Sequence, residues 1–314
     1  MKVLVTGAGG QLGRDLVDAF GGVVPTGGRR CALYGPEGPR GGHSASEVVG
    51  VDHATLPVED RGLVLAAVDD VRPDVIVHAA AWTAVDACEA DPDRAFAVNA
   101  LGTRHLAEAA DRYGAHLVYV STDYVFDGRG DRPYVEWDQP NPLSVYGRSK
   151  LGGERECPPD ATIVRTSWVC GAHGANMVKT ALRLAGGDGP LRFVDDQHGC
   201  PTFTADLAAA VVTLATDRRS GVHHVTNQGA TTWFGFVQAV LAAAGHDPDR
   251  VLPVATADLQ PPRPAPRPAN SVLDNAALRL GGLPLLPDWR DGLDRLVRVL
   301  VEGGPANGGR MAAV

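Results

Sequence analysis

The sequence predicts an α/β fold, a doubly wound parallel sheet with helices on both faces, followed by a smaller, mostly helical C-terminal part. Three observations predict it. Over the first two-thirds, apolar runs of strand length alternate with stretches of helical period. Those runs are continuously apolar, as strands buried on both faces must be. A glycine-rich turn joins the first run to the first helical stretch.

Taken in order, "KVLVTG" is a strand, "QLGRDLVDAF" a helix, "GVVPTG" a second strand and "EDRGLVLAAVDD" a helix. "DVIVHAA" is a strand, "DPDRAFAVNALGTRHLAEAADRYG" one long helix and "HLVYVST" a strand. Beyond residue 153, "ATIVRTSWV" and "GVHHVTN" read as further strands, with helices in "NMVKTALRLAGG", "TADLAAAVVTLATD" and "WFGFVQAVLAAAG". We place a first domain at 1–165, with a strand near 221–227 returning to its sheet. A second, discontinuous domain covers 166–302, and 303–314 is a tail. The Gly/Pro-rich stretch 27–46 reads as an insertion.

The bulk properties narrow the function. Of 314 residues, 44% are apolar, and no run approaches the roughly 20 residues of a membrane span. The apolar start "MKVLVTGAGG" is too short for a signal peptide and runs into a glycine turn. A cytoplasmic protein without membrane contact is expected. The net charge of -8 argues against a nucleic-acid partner, whose phosphates demand concentrated Lys and Arg. Cys31, Cys88, Cys157, Cys170 and Cys200 stand far apart, as scattered thiols do, and no metal site is legible. Oligomeric state is left open, with a homodimer as the assembly to look for.

"TGAGGQLG" sets Gly7, Gly10 and Gly13 three apart between a strand and a helix. There the backbone can approach a pyrophosphate without a Cβ in the way, and the first N–H groups of the helix face the anion. The spacing departs from G-x-G-x-x-G, so an ordinary loop is the competing reading, but the position favours a Rossmann-type dinucleotide site. The strand before "TGGRR" ends without a carboxylate and with Arg29 and Arg30, which points to NADPH. If both arginines are merely solvated, NADH stays open. Asp52, ending a third strand, meets the adenine amino group or caps a helix.

"PLSVYGRSKLGGE" holds Tyr146 and Lys150, one helical turn apart on one face. A phenol is too weak an acid for efficient proton transfer at neutral pH, and an adjacent ammonium would lower its pKa. The alternative is a surface Tyr–Lys contact. The chain has only three lysines among 29 basic residues, and it keeps one here, where a compact ammonium differs most from a guanidinium. "STDYVFDG" follows a buried strand, so Ser121, Thr122, Asp123 and Tyr124 would project into the crevice beyond the strand's carboxyl end. Thr122 could there hydrogen-bond a carbonyl beside Tyr146; capping a turn is the competing role.

These runs, with "AAAWTAVDACE", "RTSWV", "DDQHGCPT" and "RPANSVLD", closely resemble the dTDP-4-dehydrorhamnose reductases, extended members of the short-chain dehydrogenase/reductase superfamily. The likeness covers most of the chain except the insertion and the tail. It implies a substrate-binding second domain and NADPH-dependent reduction of a dTDP-4-keto-6-deoxy-sugar, with dTDP-L-rhamnose as product. Gly10, Gln11 and Leu12 would bind the cofactor phosphates, Asp52 and His53 would flank the adenine, and Ala81, Trp82 and Thr83 would line the cofactor's path. Tyr146 would be the proton donor, Lys150 would hold the nicotinamide ribose and tune Tyr146, and Thr122 would complete the catalytic set. Thr122, Asp123 and Tyr124 would touch the sugar, Trp168 would pack on it, and Arg267 would meet the nucleotide diphosphate, with Arg263 as its rival. The related 4,6-dehydratases carry Thr-Asp-Glu where this chain has Thr122, Asp123 and Tyr124, so simple reduction is favoured. Two alternatives remain: a sister 4-ketoreductase making another deoxysugar or a streptose-type sugar, and a non-catalytic NADP-binding regulator like the β subunit of methionine adenosyltransferase.

Overall fold

The computed structural model describes residues 1–21 and 47–302. The chain opens with β1 (Lys2–Thr6), α1 (Gln11–Ala19), β2 (Glu47–Val51), α2 (Arg61–Val71) and β3 (Val75–His78). Next come α3 (Val85–Ala90), α4 (Pro92–Phe96), α5 (Gly102–Tyr113) and β4 (His116–Thr122). Then follow α6 (Val145–Glu156), β5 (Thr162–Thr166), β6 (Val169–Cys170), α7 (Met177–Ala185), β7 (Leu191–Val194), β8 (His198–Gly199) and β9 (Thr202–Phe203). The last elements are α8 (Thr204–Thr216), β10 (Gly221–His224), β11 (Thr231–Thr232), α9 (Trp233–Ala243), β12 (Val251–Val254), α10 (Ala276–Leu280) and α11 (Trp289–Glu302).

Six strands form one parallel sheet in the order β10-β5-β4-β3-β1-β2, so the fold class is the one the sequence predicts. The late strand β10 lies at the sheet's edge beside β5, with His223 opposite Val164. Apolar strands require cover on both faces. On one face Leu16 and Val17 of α1 pack with Leu207, Val211 and Leu214 of α8. On the other, Val64 and Val68 of α2 pack with Leu106 and Ala109 of α5 against Leu4, Ile76 and Leu117. A separate cluster joins Val178 and Ala181 of α7, Phe236 and Val240 of α9, and Trp289, Leu293 and Leu296 of α11.

Three differences from the expected elements bear on the site. The expected strand at 22–27 lies outside the described residues, as do Arg29, Arg30 and the insertion. Within them, β1 is flanked by β3 and β2, and Asp52 follows Val51, the last residue of β2. The expected single helix over 91–114 is interrupted by a π-helical turn at Ala97–Leu101. Its wider turn aims the buried Asn99 at the 82 loop and at α6, where its amide holds Trp82 N (2.8 Å), Trp82 O (3.1 Å) and Ser149 Oγ (2.9 Å). Finally, "ATIVRTSWV" is not one strand. Trp168 has φ +47°, a conformation costly for a bulky residue, and it breaks the run into β5 and β6.

Candidate active site

The glycine turn is shaped as the sequence requires. Gly7 has φ +73°, and a Cβ there would lie 2.7 Å from Ala80 N; at Gly13 it would lie 2.1 Å from Gly7 O. α1 begins at Gln11 with no side-chain cap on its first amides, which leaves them to a ligand. The backbone is thus free of side-chain bulk where a dinucleotide's phosphates need close approach, and the residues present fit such a group. Gln11 Oε1 faces the other way, accepting from Gly171 N (3.1 Å) and Asn176 Nδ2 (2.9 Å). Asn176 in turn caps α7 through Lys179 N at 3.1 Å.

A cleft of about 440 Å³ runs from this turn across the carboxyl ends of β3, β4 and β5, within the range of small-ligand sites. Among the expected residues, Gly7, Gly10, Gln11, Leu12, Gly13, Ala81, Thr83, Thr122, Asp123, Tyr124, Tyr146, Lys150 and Trp168 all line it. A neighbouring space of about 320 Å³ shares Gly7, Gly10 and Ala81 and is bounded by Asp52, His53, Leu56 and Val58. The Asp52 carboxylate is held below its usual pKa by the Thr55 hydroxyl and backbone amide. A carboxylate at the end of the strand beside β1 is the feature that the sequence reasoning found missing in "TGGRR", so the arginine argument for the cofactor has no counterpart among the described residues.

Three expected residues stand differently. Trp82 does not line the cleft; its backbone is tied to Asn99, and its ring packs near Cys88 and Tyr146 with Arg94 4.6 Å from its centroid. His53 is exposed and paired with Glu59 at 3.1 Å. Arg267 is committed to Asp86 by two hydrogen bonds of 3.0 and 2.8 Å, with Arg263 4.0 Å from the same carboxylate. Asp86 lies in "AVDACE", a run that gave no signal of pairing with a residue 181 positions away.

α6 carries the reacting pair. Ser144 caps it by accepting from Gly147 N at 3.1 Å, and both Tyr146 and Lys150 are buried on its inner face. Lys150 Nζ donates to Val120 O at 2.7 Å and lies 4.0 Å from the Tyr119 ring centroid. Burial lowers its pKa to about 7. Burial also raises the Tyr146 phenol above its ordinary range, opposed by a hydrogen bond with Thr122 and reinforced by Asp123 and Tyr124. The expected lowering of the Tyr146 pKa by Lys150 is therefore absent without ligand: desolvation prevails, and the ammonium serves a carbonyl instead.

The "STDYVFDG" run begins at the end of β4 and lines the cleft with Ser121, Thr122, Asp123 and Tyr124. β4 ends at Thr122, whose hydroxyl donates to Asp123 Oδ1 at 2.9 Å. Asp123 is 2% exposed, its Oδ2 has no hydrogen bond of ordinary geometry, and burial raises its pKa to about 6 against the lowering pull of the Ser271 and Thr122 hydroxyls. Tyr124 meets Tyr146 edge-on, with centroids 5.6 Å apart. Sequence reasoning missed Trp233, which lines the cleft and stacks on Trp168 at 3.6 Å and 6°. "TTWFGF" shows only a helix start, because the partner ring lies 65 residues earlier. A separate apolar groove of about 230 Å³ between α8 and residues 283–287 offers one carboxylate, Asp206, already bound to Arg295 and Asn227. Among the described residues no helix is long and apolar enough to cross a membrane.

A family model described as the RmlD substrate binding domain matches residues 1–301. The chain is 43% identical over 302 residues, 92% of its length and 91% of the relative's, to a dTDP-4-dehydrorhamnose reductase of Streptomyces griseus. It is 39% identical over 300 residues, 93% of each chain, to a probable dTDP-4,6-dihydroxy-2-methyloxan-3-one 4-ketoreductase of Streptomyces antibioticus. A crystal structure of Bacillus anthracis dTDP-4-dehydrorhamnose reductase in complex with NADP matches with a TM-score of 0.82 and 35% identity, covering 94% of this chain and 98% of that one.

Proposed function

Because the chain belongs to the RmlD substrate binding domain family, we propose that it is an NADPH-dependent reductase of the 4-keto group of a dTDP-4-dehydro-6-deoxy-sugar, converting dTDP-4-dehydro-L-rhamnose to dTDP-L-rhamnose. One observation carries the reading: Tyr146, Lys150 and Thr122 face the same cleft as the glycine turn, so an acid and a dinucleotide cradle share one space.

When bound, the dihydronicotinamide supplies a hydride. The free amides at the start of α1 would hold the pyrophosphate, Gln11 and Leu12 would bound its path, and Lys150, which here donates to Val120 O, would turn to the nicotinamide ribose. Tyr146 gives its phenolic proton to the oxygen on the sugar's C4, and the Thr122 hydroxyl hydrogen-bonds the same oxygen as charge builds there. The proton transfer is favourable because burial keeps the phenol protonated until a stronger base, the alkoxide, forms beside it. Trp168 offers the sugar an apolar wall. Tyr124 stands where dehydration would require a carboxylic acid, which leaves reduction as the chemistry the ledge supports. Arg267 serves the nucleotide diphosphate only if Asp86 shares it.

The test is NADPH oxidation with the 4-keto product of dTDP-glucose 4,6-dehydratase, with and without its 3,5-epimerase. Consumption only when the epimerase is present supports the rhamnose substrate; no consumption with either sugar overturns the reading. The Streptomyces antibioticus relative supports a second reading, a sister 4-ketoreductase, which consumption without the epimerase would favour.

A further inference from the structure

Each turnover of such a reductase leaves Tyr146 as a buried phenolate, which must regain a proton before the next. Two buried groups lie close enough to matter. Lys150 is turned to Val120 O and the Tyr119 ring. Thr122, by contrast, is joined to Tyr146 on one side and to Asp123 Oδ1, at 2.9 Å, on the other. Asp123 is almost fully buried yet lines the cleft; Thr122 and Ser271 both pull its pKa down, but burial outweighs them, and Oδ2 has no hydrogen bond of ordinary geometry. A carboxylate buried this deeply is expensive as an anion even with those hydroxyls beside it, and it holds a proton more readily than a surface carboxylate.

We propose that Asp123 is a proton reservoir for Tyr146, acting through the Thr122 hydroxyl. The inference rests on the reductase reading. After Tyr146 has protonated the sugar oxygen, the O–H bond of Thr122 breaks as the phenol O–H forms, and the carboxyl O–H of Asp123 breaks as that of Thr122 is restored. The negative charge passes from phenolate to carboxylate, and a proton from solvent reloads Asp123 through the cleft. No electrons move, and one proton is consumed per turnover.

The direction is downhill. Burial holds the phenol above its usual pKa, whereas Asp123 sits at about 6. Around Asp123 the other titratable groups are Tyr146 from α6, Tyr124 from its own turn and Cys200 beyond β8, with Arg267, Arg263 and Asp86 beyond Tyr124. Tyr124 and Cys200 are pushed to about 12 and 11 and keep their protons near neutrality. Lys150, at about 7, titrates in the same range as Asp123, so a variant must make the assignment.

Asp123→Asn keeps the shape and loses the acid. With NADPH and the 4-keto sugar, kcat is expected to fall about 10- to 100-fold, with the KM for NADPH and NADPH affinity within about twofold. The wild-type solvent isotope effect should show a curved proton inventory that becomes linear in the variant, and the decline of kcat at rising pH should flatten. In the ligand-free protein, an infrared carboxyl band should fade as pH rises through about 6 and be missing from the variant. A kcat within twofold of wild type, or a loss confined to KM, overturns the reservoir while leaving the reductase intact. A wild type that reduces no 4-keto sugar removes both. Should the variant not fold, a linear wild-type inventory or no titrating carboxyl band overturns the proposal.

Discussion

Tyr146 and Lys150 stand one turn apart on α6, yet the lysine's Nζ donates to Val120 O at 2.7 Å while the phenol associates with Thr122. The two form a site without forming a pair. Each is shifted by its own desolvation, so ligand-free chemistry at this helix is governed by burial before it is governed by charge pairing.

Lys150 makes stability pH-dependent. Its folded pKa, about 7, lies below its unfolded value, so between about 7 and 10 the unfolded chain binds more protons and stability rises with pH. Lys150→Met should remove this slope in ligand-free thermal melts and raise Tm most near pH 6, where the wild type carries the full cost of a buried ammonium. It should also weaken turnover severely, and Lys150→Arg should not restore it, because the larger guanidinium lacks room beside Tyr119.

Tyr146→Phe removes the proton donor and little else. Turnover should fall by about 10²- to 10⁴-fold, with NADPH affinity by fluorescence titration unchanged within about twofold. A variant with near-wild-type kcat would show that another group delivers the proton.

Asp123→Asn should stabilise the ligand-free protein. The raised pKa means that the folded state binds more protons between about 4 and 6, so stability is lost as pH rises through that window. Denaturant melts at pH 8 should show a gain of about 1 to 3 kcal/mol that vanishes near pH 4.

Gly13→Ala places a methyl 2.1 Å from Gly7 O and 2.7 Å from Ala8 Cα. Backbone cannot yield as a side chain can. A loss of about 2 to 4 kcal/mol is expected in melts, with NADPH affinity falling more than tenfold.

Trp233→Ala uncovers Trp168, whose strained backbone is then held with one stacking partner fewer. KM for the sugar nucleotide should rise about five- to tenfold while the KM for NADPH stays constant, and the near-ultraviolet circular dichroism should lose the signature of paired indoles.

The parallel sheet, the cradle at Gly7, Gly10 and Gly13, and the helix bearing Tyr146 and Lys150 were legible because each is a local pattern: a period, a spacing, a turn. Thr122 and Asp123 were legible as polar residues beyond a buried strand. What stayed hidden depends on contacts distant along the chain. Arg267 reads as a free cation until Asp86 is brought to it, and Trp168 reads as a strand residue until the backbone turns at φ +47°. Lys150 reads as the tuner of Tyr146 until burial shows that desolvation outweighs the attraction. Sequence spacing brings side chains together; only packing tells how much water each has lost.

The amide of Gln11 ties the mouth of the glycine cradle to Gly171 and Asn176 on the opposite wall. Neither wall can therefore shift by an ångström alone without two bonds failing together. A single side chain thus fastens the start of α1 to the residue that caps α7.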